Sequence, residues 1–198
     1  MSKKHYIFGY GSLISSTSRR ITGIAGDSVA VNVNGLERTW VGWKGTEMRA
    51  VAARPVSDSC CNGVLFEVPE TELVKFDERE THYVRNPLKL SQVTYVDQGQ
   101  ALDGDCLVWV YLYDHQNRGL TDAPIVQSYL DVILLGCNEI TPTFALDFIE
   151  QTKNWQVWHD DRHAPVYPRA EVHSQAMQLD QLLAQHLPIA FTQRCLAP

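Results

Sequence analysis

The sequence predicts a domain of the α+β class, in which a strand-rich first part precedes a separate group of helices. Up to about residue 115, short runs of Val, Leu, Tyr and Trp alternate with turn residues, which is the pattern of many short strands. Beyond that point, apolar residues recur at helical spacing. Strands followed by segregated helices are typical of α+β domains, and many short strands favour a barrel or a strongly bent sheet.

The first part is expected to contain several strands and one helix. The strands are predicted at residues 5–8, 29–33, 39–43, 49–53, 63–68, 88–96 and 106–113. The helix is predicted at residues 70–80, and residues 15–18 are expected to form a polar loop.

Two helices are predicted at the start of the second part. The first is expected at residues 124–135, and Asp122 can cap its start. Thr141 and Pro142 combine a capping residue with a first-turn proline, so a second helix is predicted to begin there.

The C-terminal part joins an irregular segment to a last helix. Residues 154–169 contain several aromatic residues and prolines and are expected to form a loop. The last helix is predicted at residues 174–187. Its inward side chains are expected to be Met177, Leu182 and Leu183. We interpret residues 1–172 as the main domain and residues 173–198 as a helical extension packed on it.

The composition indicates a globular, acidic chain. Of the 198 residues, 44% are hydrophobic and 20% are charged, which argues against wholesale disorder and fits one domain. The net charge of −6 disfavours nucleic-acid binding through overall charge and is compatible with a monomer or weak dimer. No apolar run is long enough to span a membrane, and Gly9, Gly11 and Ser12 interrupt the N-terminal one, so a cytoplasmic protein is expected.

The residues that can bind metals do not form a recognisable motif. The five cysteines are odd in number and lack CxxC spacing, so buried free thiols are expected instead of disulfides or a zinc site. His159, Asp160, Asp161 and His163 crowd one segment, but adjacent residues of an irregular chain rarely converge on one ion. A polar loop is the preferred interpretation, and neither a metal nor an organic cofactor is expected.

The hexapeptide Phe8-Gly9-Tyr10-Gly11-Ser12-Leu13 is the first candidate functional segment. It follows a predicted strand directly, and its glycines let the backbone approach a ligand closely. Successive N–H groups in such a turn can hold a carboxylate or a developing oxyanion. A Rossmann fingerprint would need a third glycine where Ile14 stands. An ordinary glycine turn after the first strand is the alternative.

Glu80 is the second candidate. Leu73, Phe76 and Glu80 lie at helical spacing, so a helix that reaches Glu80 would place its carboxylate on an apolar face. Burial would raise the pKa of that carboxylate toward neutrality, which suits a general acid or base. The alternative is a helix that ends earlier, with Glu80 paired to Arg85 at the surface. The candidate partners in the sequence are Arg79, His82, Tyr83 and Arg85.

Three aromatic residues of the 154–169 segment have two interpretations. Trp155, Trp158 and Tyr167 can close over a substrate pocket as a lid, or they can pack against the sheet as large aromatics usually do. Residue type alone favours neither interpretation.

The two candidate segments together resemble the gamma-glutamylcyclotransferase-like family. Residues 6–13, Tyr-Ile-Phe-Gly-Tyr-Gly-Ser-Leu, are similar to its N-terminal signature. Residues 77–85, Asp-Glu-Arg-Glu-Thr-His-Tyr-Val-Arg, are similar to its second signature, in the same order. Residues 34–40 and 52–55 resemble the strands between them.

The resemblance extends over roughly residues 5–115. Residues 125–136 and 161–169 are similar to one bacterial branch of the family. One position departs from the family pattern, because Thr81 stands where the family often has glycine.

The resemblance implies a small mixed β-barrel flanked by helices and an intramolecular acyl transfer. The α-amine of a γ-glutamyl substrate attacks its own γ-carbonyl and releases 5-oxoproline and an amine, without a cofactor. The family's acid/base glutamate corresponds to Glu80 and its substrate loop to residues 10–13, and Tyr83 and Arg85 are further candidate substrate-binding residues. Glutathione, γ-glutamyl dipeptides and γ-glutamyl amines are all compatible substrates. A non-catalytic small-molecule binding or regulatory module with the same fold is the alternative.

Overall fold

The computed structural model describes residues 3–43, 45–102, 104–113, 122–169 and 175–197. The strands are β1 (Lys4–Gly9), β2 (Ser28–Val41), β3 (Ala50–Val68), β4 (Tyr83–Leu88), β5 (Val93–Tyr95), β6 (Cys106–Tyr113), β7 (Ile125–Val126), β8 (Thr152–Lys153), β9 (Trp158–Asp160) and β10 (Cys195–Leu196). The α-helices are α1 (Ser16–Thr22), α2 (Leu73–Arg79), α3 (Gln127–Asn138), α4 (Pro142–Gln151), α5 (Ala176–His186) and α6 (Pro188–Thr192). The predicted boundary at residues 172 and 173, and the predicted helix start at Ser174, lie outside the described residues.

The main sheet is mixed and open. Its strand order is β4-β6-β1-β3-β2-β5, and β8 also pairs with β2. β1 lies at its centre, antiparallel to β3 and parallel to β6. The α+β prediction is confirmed, whereas barrel describes the sheet only loosely, because β4 and β5 form its two ends. The chain passes between these ends through a 3₁₀ turn at Leu90–Gln92 instead of the continuous strand predicted at residues 88–96.

Two long strands replace four predicted short ones. β2 and β3 pair along most of their lengths, with a register shift between Asn34 and Leu36. Gly35 lies at this irregularity with a φ of 83°, a backbone conformation that glycine adopts without strain. The strands predicted at residues 29–33 and 39–43 are therefore one bent strand, because tertiary pairing continues through the glycine.

The structure moves the start of α3 and confirms the cap of α4. Residues 125–126 pair in parallel with β9, so α3 begins at Gln127 and Asp122 does not cap it. The Thr141 hydroxyl accepts a hydrogen bond from the backbone N–H of Phe144 at 3.0 Å, and Pro142 occupies the first turn of α4. These are the roles predicted for the two residues.

Two local predictions are wrong. The loop predicted at residues 15–18 is the start of α1, and the Ser15 side chain caps it by accepting from the N–H of Ser18 at 3.3 Å. Met177 is 74% exposed, although Leu183 is buried as predicted and Leu182 packs partly buried against the core. The fully buried side chains of α5 are Leu179 and Leu183. Their i, i+4 spacing defines the inward face of this helix.

The described cysteines are all free, but only Cys61 and Cys137 are buried. Among the described residues, no helix is long and apolar enough to span a membrane. The last helices and β10 contact the rest of the chain through the packing of α5 on α4 and the pairing of β10 with β9.

Candidate active site

The glycine loop (residues 8–13) leaves the end of β1 and turns into a 3₁₀ helix at Ser12–Ile14. The first hydrogen bond of this turn joins the N–H of Ile14 to the carbonyl of Gly11 at 2.8 Å. The N–H groups before it have no carbonyl partner within the turn, as at any helix start. The loop therefore has the unpaired backbone donors expected from its sequence.

Glycine is required at both positions of the loop because a side chain would not fit there, and not because the backbone is left-handed. A Cβ on Gly9 would lie 2.8 Å from the Cβ of Leu13, and a Cβ on Gly11 would lie 2.5 Å from Cγ2 of Val51. Such distances are shorter than carbon atoms tolerate without movement. The loop consequently packs directly against β3 with no room for a larger residue.

The buried side chain of Arg38 anchors the glycine loop from below. Its Nη1 donates to the carbonyl of Tyr10 at 3.1 Å and to that of Asn62 at 2.8 Å. Its other nitrogens donate to Thr152 Oγ1, Asn62 Oδ1 and the Phe148 carbonyl, so all five N–H bonds have acceptors. All these acceptors are neutral, and burial lowers the pKa of Arg38. A positive charge without a bonded carboxylate is thus held beneath the loop.

Glu80 lies just beyond the last residue of α2. The predicted helix at residues 70–80 is a 3₁₀ turn at Glu70–Glu72 followed by α2, and the N–H of Glu80 still bonds to the carbonyl of Phe76 at 3.0 Å. Its side chain is 16% exposed. Burial raises the pKa of the Glu80 carboxyl, while the charges of Arg79 and Arg169 oppose that rise.

Arg79 connects Glu80 to the glycine loop. Its Nε lies 3.1 Å from Oε1 of Glu80, and its Nη2 donates to the Ser12 hydroxyl at 2.8 Å. Other guanidinium N–H groups donate to Ser18 and Thr22 of α1. The two sequence-predicted segments therefore meet through a single guanidinium group.

A small inner recess and a larger outer cavity meet at Glu80. The inner recess, of about 30 Å³, is lined by the glycine loop with Val51, Glu80, Tyr83, Tyr111 and Tyr129. Such a space holds one or two water molecules or a single functional group of a ligand. The outer cavity, of about 320 Å³, shares Ser12, Glu80, Tyr83 and Tyr129 with it. Any larger ligand must extend outward past Glu80.

Most of the substrate-binding residues predicted from the sequence line the inner recess. They are Tyr10, Gly11, Ser12, Leu13 and Tyr83, together with Glu80. The exception is Arg85, which is not part of the lining of either cavity; its Nε lies 3.4 Å from Asp77 and its guanidinium lies over the ring of Trp109. Arg85 also does not pair with Glu80, so the surface pair considered as an alternative is replaced by the pair with Arg79.

Two tyrosines of the recess were missed by the sequence interpretation. Tyr111 lies on β6 opposite Arg85 and donates its hydroxyl to Asp77 at 2.8 Å. Tyr129 lies on α3 and its hydroxyl approaches the position of Gly11. Burial raises the pKa of both phenols, which keeps them neutral. No local pattern distinguishes them from core tyrosines, because only tertiary packing brings them to the loop.

The hydroxyls of Tyr10 and Tyr83 are bonded to the protein backbone. Tyr10 donates to the carbonyl of Tyr111, and Tyr83 donates to that of Val51 at 2.8 Å. Burial raises the pKa of each phenol well above its usual range. These tyrosines therefore form the wall of the recess with their rings, and their hydroxyls hold that wall in place.

Of the three candidate lid aromatics, only Tyr167 lines the outer cavity. Its ring packs edge-on against Tyr129, with 4.8 Å between the ring centroids. Trp158 is buried in the core, and the ring of Trp155 packs against Trp40 at 5.3 Å. Tyr167 therefore lies where a lid residue would lie, whereas Trp155 and Trp158 pack against the protein.

The acidic residues of the 154–169 segment bind protein groups. Asp161 is fully buried and accepts hydrogen bonds from the backbone N–H groups of Ser128 and Val166, each at 2.8 Å. Asp160 lies 3.4 Å from Arg194. Within the described part of the chain, no group of three or more His, Cys, Asp or Glu side chains is arranged to hold a metal ion.

Thr81 occupies an exposed turn after Glu80. The non-glycine residues with positive φ in the described chain are Asn154 and Val157, so Thr81 does not adopt a conformation that would require glycine. The departure from the family pattern at this position therefore involves no backbone strain.

Residues 7–129 match the sequence model of the family described as gamma-glutamyl cyclotransferase, AIG2-like. The match spans more than half of the 198 residues, and the chain belongs to this family. The resemblance seen in the sequence is confirmed. The matched region includes the glycine loop, Arg38 and Glu80, whereas Tyr167 and Arg169 lie beyond it.

Solved structures share the fold at low sequence identity. A human protein described as uncharacterized protein loc79017 has a TM-score of 0.60 and 14% identity, covering 90% of this chain and 98% of its own. A protein described as gamma-glutamyl cyclotransferase also has a TM-score of 0.60, with 13% identity, covering 89% and 98%. YkqA from Bacillus subtilis has a TM-score of 0.53 and 19% identity, covering 77% and 57%. Among curated protein sequences, none matches the chain significantly.

Proposed function

We propose that this protein is a γ-glutamylcyclotransferase-type enzyme that converts a γ-glutamyl compound into 5-oxoproline and a free amine. The observation that carries the proposal is the meeting of Glu80 and the glycine loop in one recess, through Arg79. A partly buried carboxylate beside unpaired backbone donors is suited to proton transfer and to the stabilisation of an oxyanion. Family membership supports the same reaction class.

Glu80 acts as the acid/base of the reaction. Its carboxylate takes a proton from the substrate α-ammonium, and the free amine then attacks the γ-carbonyl carbon. After the attack the ring nitrogen still carries two hydrogens. Glu80 returns its proton to the leaving nitrogen as the C–N bond breaks, and the second proton of the ring nitrogen then passes through Glu80 to the released amine. Burial raises the pKa of Glu80, which makes both transfers easier near neutral pH. The proton is returned in each cycle, so no co-reactant is consumed.

The glycine loop stabilises the developing negative charge. The N–H groups of Gly11, Ser12 and Leu13 precede the first hydrogen bond of the 3₁₀ turn and are the candidate donors to the oxyanion. Each such donor contributes on the order of 10²–10³ in rate in acyl-transfer enzymes. The reaction also requires the substrate to be held in a folded conformation, and a well-oriented intramolecular attack gains roughly 7–11 kcal/mol.

The first experiment is 5-oxoproline release from a panel of γ-glutamyl compounds by the wild type and Glu80→Gln. Glutathione, a γ-glutamyl dipeptide and a γ-glutamyl amine make up the panel. We expect release by the wild type and a loss in kcat on the order of 10²–10⁴ in the variant, because Gln cannot exchange protons. Circular dichroism of both proteins checks that the fold is unchanged.

Release that survives in Glu80→Gln would contradict the acid/base role. No release from any compound by folded wild type would favour the alternative, a small-molecule binding or regulatory module. A cytoplasmic location and a monomer or weak dimer stay predictions from the sequence.

A further inference from the structure

The strap (residues 161–169) contributes its last three residues to the lining of the outer cavity and is held in place by the buried carboxylate of Asp161. Asp161 accepts from the backbone N–H and the hydroxyl of Ser128 at the start of α3. The N–H of Tyr167 donates to the same hydroxyl at 3.2 Å, and its ring packs on Tyr129. These contacts fix the strap on α3, so the position of Arg169 at its end is determined by the fold.

Arg169 lines the outer cavity but not the inner recess. Its Nη1 donates to Thr22 Oγ1 at 3.2 Å. Among the ion pairs between described residues, none includes Arg169. Burial, followed by the charge of Arg79, lowers the pKa of its guanidinium. An anion in the cavity would relieve both effects.

The charges that line the outer cavity leave an excess of positive charge. Among the described residues of the lining, Arg79 and Arg169 are the cations and Glu80 is the acidic residue, so two positive charges stand beside one negative charge. Arg79 already contacts Glu80, Ser12 and α1, whereas the hydrogen bonds of Arg169 are with the hydroxyls of Thr22 and Tyr167, which are neutral. Arg169 is therefore the cation available to a ligand.

Another part of the outer cavity's lining is aromatic. The rings of Trp43 and His82 are stacked with 5.1 Å between centroids and an interplanar angle of 13°. Met48 and Ala50 extend this apolar surface. A ligand that combines a carboxylate with an apolar side chain matches this lining, because Arg169 supplies charge and the aromatic part supplies apolar area.

We propose that Arg169 binds a carboxylate carried by the leaving amine, so that the enzyme prefers γ-glutamyl amino acids and peptides over γ-glutamyl alkylamines. This inference rests on the proposed function. The γ-carbonyl must lie where Glu80 and Ser12 border both cavities, and the recess has room for little more than one functional group. The leaving amine therefore extends into the outer cavity, where Arg169 lies.

The test compares γ-glutamyl-alanine with γ-glutamyl-alaninamide, which differ only in the carboxylate. For each compound, kcat/KM is measured with the wild type, Arg169→Met and the control Arg54→Met, whose exposed cation pairs with Glu37 outside both cavities. We expect the wild type to prefer γ-glutamyl-alanine by about 10- to 100-fold, as for a charge-assisted hydrogen bond. In Arg169→Met this preference should largely disappear through an increase in KM for γ-glutamyl-alanine alone.

A preference that is unchanged in Arg169→Met would overturn the proposal. An equal loss for both compounds would also overturn it, because such a loss does not depend on the leaving-group carboxylate and fits a role of Arg169 at the γ-glutamyl group or through the pKa of Glu80. Arg54→Met should retain the wild-type preference.

A second measurement separates this inference from the proposed function. If no 5-oxoproline is released, the proposed reaction fails, and calorimetric dissociation constants for the same two compounds replace kcat/KM. A preference for γ-glutamyl-alanine that Arg169→Met removes would still support carboxylate recognition. Absence of binding, or equal binding of both compounds by the wild type, would overturn it.

Discussion

Arg38 lies beneath the glycine loop and Arg162 lies in the strap, and the two guanidinium groups have opposite kinds of partners. Arg38 donates to neutral oxygens, including the carbonyl of Tyr10 at 3.1 Å. Arg162 forms a two-bond pair with Asp131, at 2.7 and 2.9 Å, and a further bond to Asp180 at 2.9 Å. Both arginines connect separate elements, but only the second has its charge cancelled by bonded carboxylates.

The pKa directions follow from this difference. Burial lowers the pKa of Arg38, because neutral dipoles compensate only part of the lost solvation. Burial also disfavours the charge of Arg162, but the hydrogen bonds and charge of Asp131 and Asp180 outweigh it and raise the pKa. The strap is thus held by an arginine whose charge is paired with carboxylates, whereas the glycine loop is held by an arginine whose charge has no bonded carboxylate. That arrangement favours negative charge at the loop.

The largest expected effect is the loss of Arg38. Arg38→Met removes the donors of several buried acceptors at about 1–3 kcal/mol each, so the free energy of unfolding should fall by roughly 4 kcal/mol or more. Urea denaturation followed by circular dichroism measures this change. Because no carboxylate is bonded to Arg38, the loss should be similar at pH 7 and pH 5. Arg38→Lys should lose less, and a loss in Arg38→Met below about 1 kcal/mol would contradict the anchoring role.

The next effect is that of Arg162→Met, and it should depend on pH. The variant leaves the buried Asp131 carboxylate without the Arg162 guanidinium, at a cost of roughly 3–5 kcal/mol near neutral pH. Neutralising this carboxylate removes the uncompensated buried charge, so the cost should shrink as the pH falls.

Chemical denaturation of the wild type and Arg162→Met at pH 7 and pH 5 checks this prediction. Arg54→Met removes an exposed pair and should change the free energy of unfolding by about 0–1 kcal/mol at both pH values. A cost of Arg162→Met that stays constant with pH would show that the charge of Asp131 does not cause it.

The smallest effect is a shift in the pH profile of Arg79→Met. Arg79 opposes the burial that raises the pKa of Glu80, so its removal should raise that pKa further. The base form of Glu80 would then appear only at higher pH. The rise of kcat/KM on the acid side of its pH profile, which we call the acid limb, should therefore move to higher pH. The limb is measured by 5-oxoproline release between pH 5 and 8. A limb that moves downward would contradict the assignment of that limb to Glu80.

Some predictions from the sequence succeeded because their causes are local. The bounds of β6 coincide with the predicted strand at residues 106–113, where β-branched and aromatic residues dominate. The cap formed by Thr141 depends only on the residues that follow it. Glu80 faces the recess even though α2 ends one residue earlier, because the chain still follows the last helical turn.

Other features required the packed structure. Three features depend on which neighbours each segment contacts in the fold. They are the break between β4 and β5, the cap at Ser15 and the exposure of Met177. The same holds for Tyr129 and Arg169, which reach the site from elements distant in sequence from both signature segments. Their residue types carry no local signal of such a position.

The sequence by itself determined the fold class, the family and the two segments that meet at the recess. Strand propensity, caps and the glycine and Asp-x-Arg-Glu motifs act over a few residues, so they can be interpreted without coordinates. Only the tertiary structure decided that Arg79 joins those segments, that Arg38 supports the loop and that Arg169 faces the outer cavity. The physical reason is that burial and charge pairing depend on atoms brought together from distant parts of the chain.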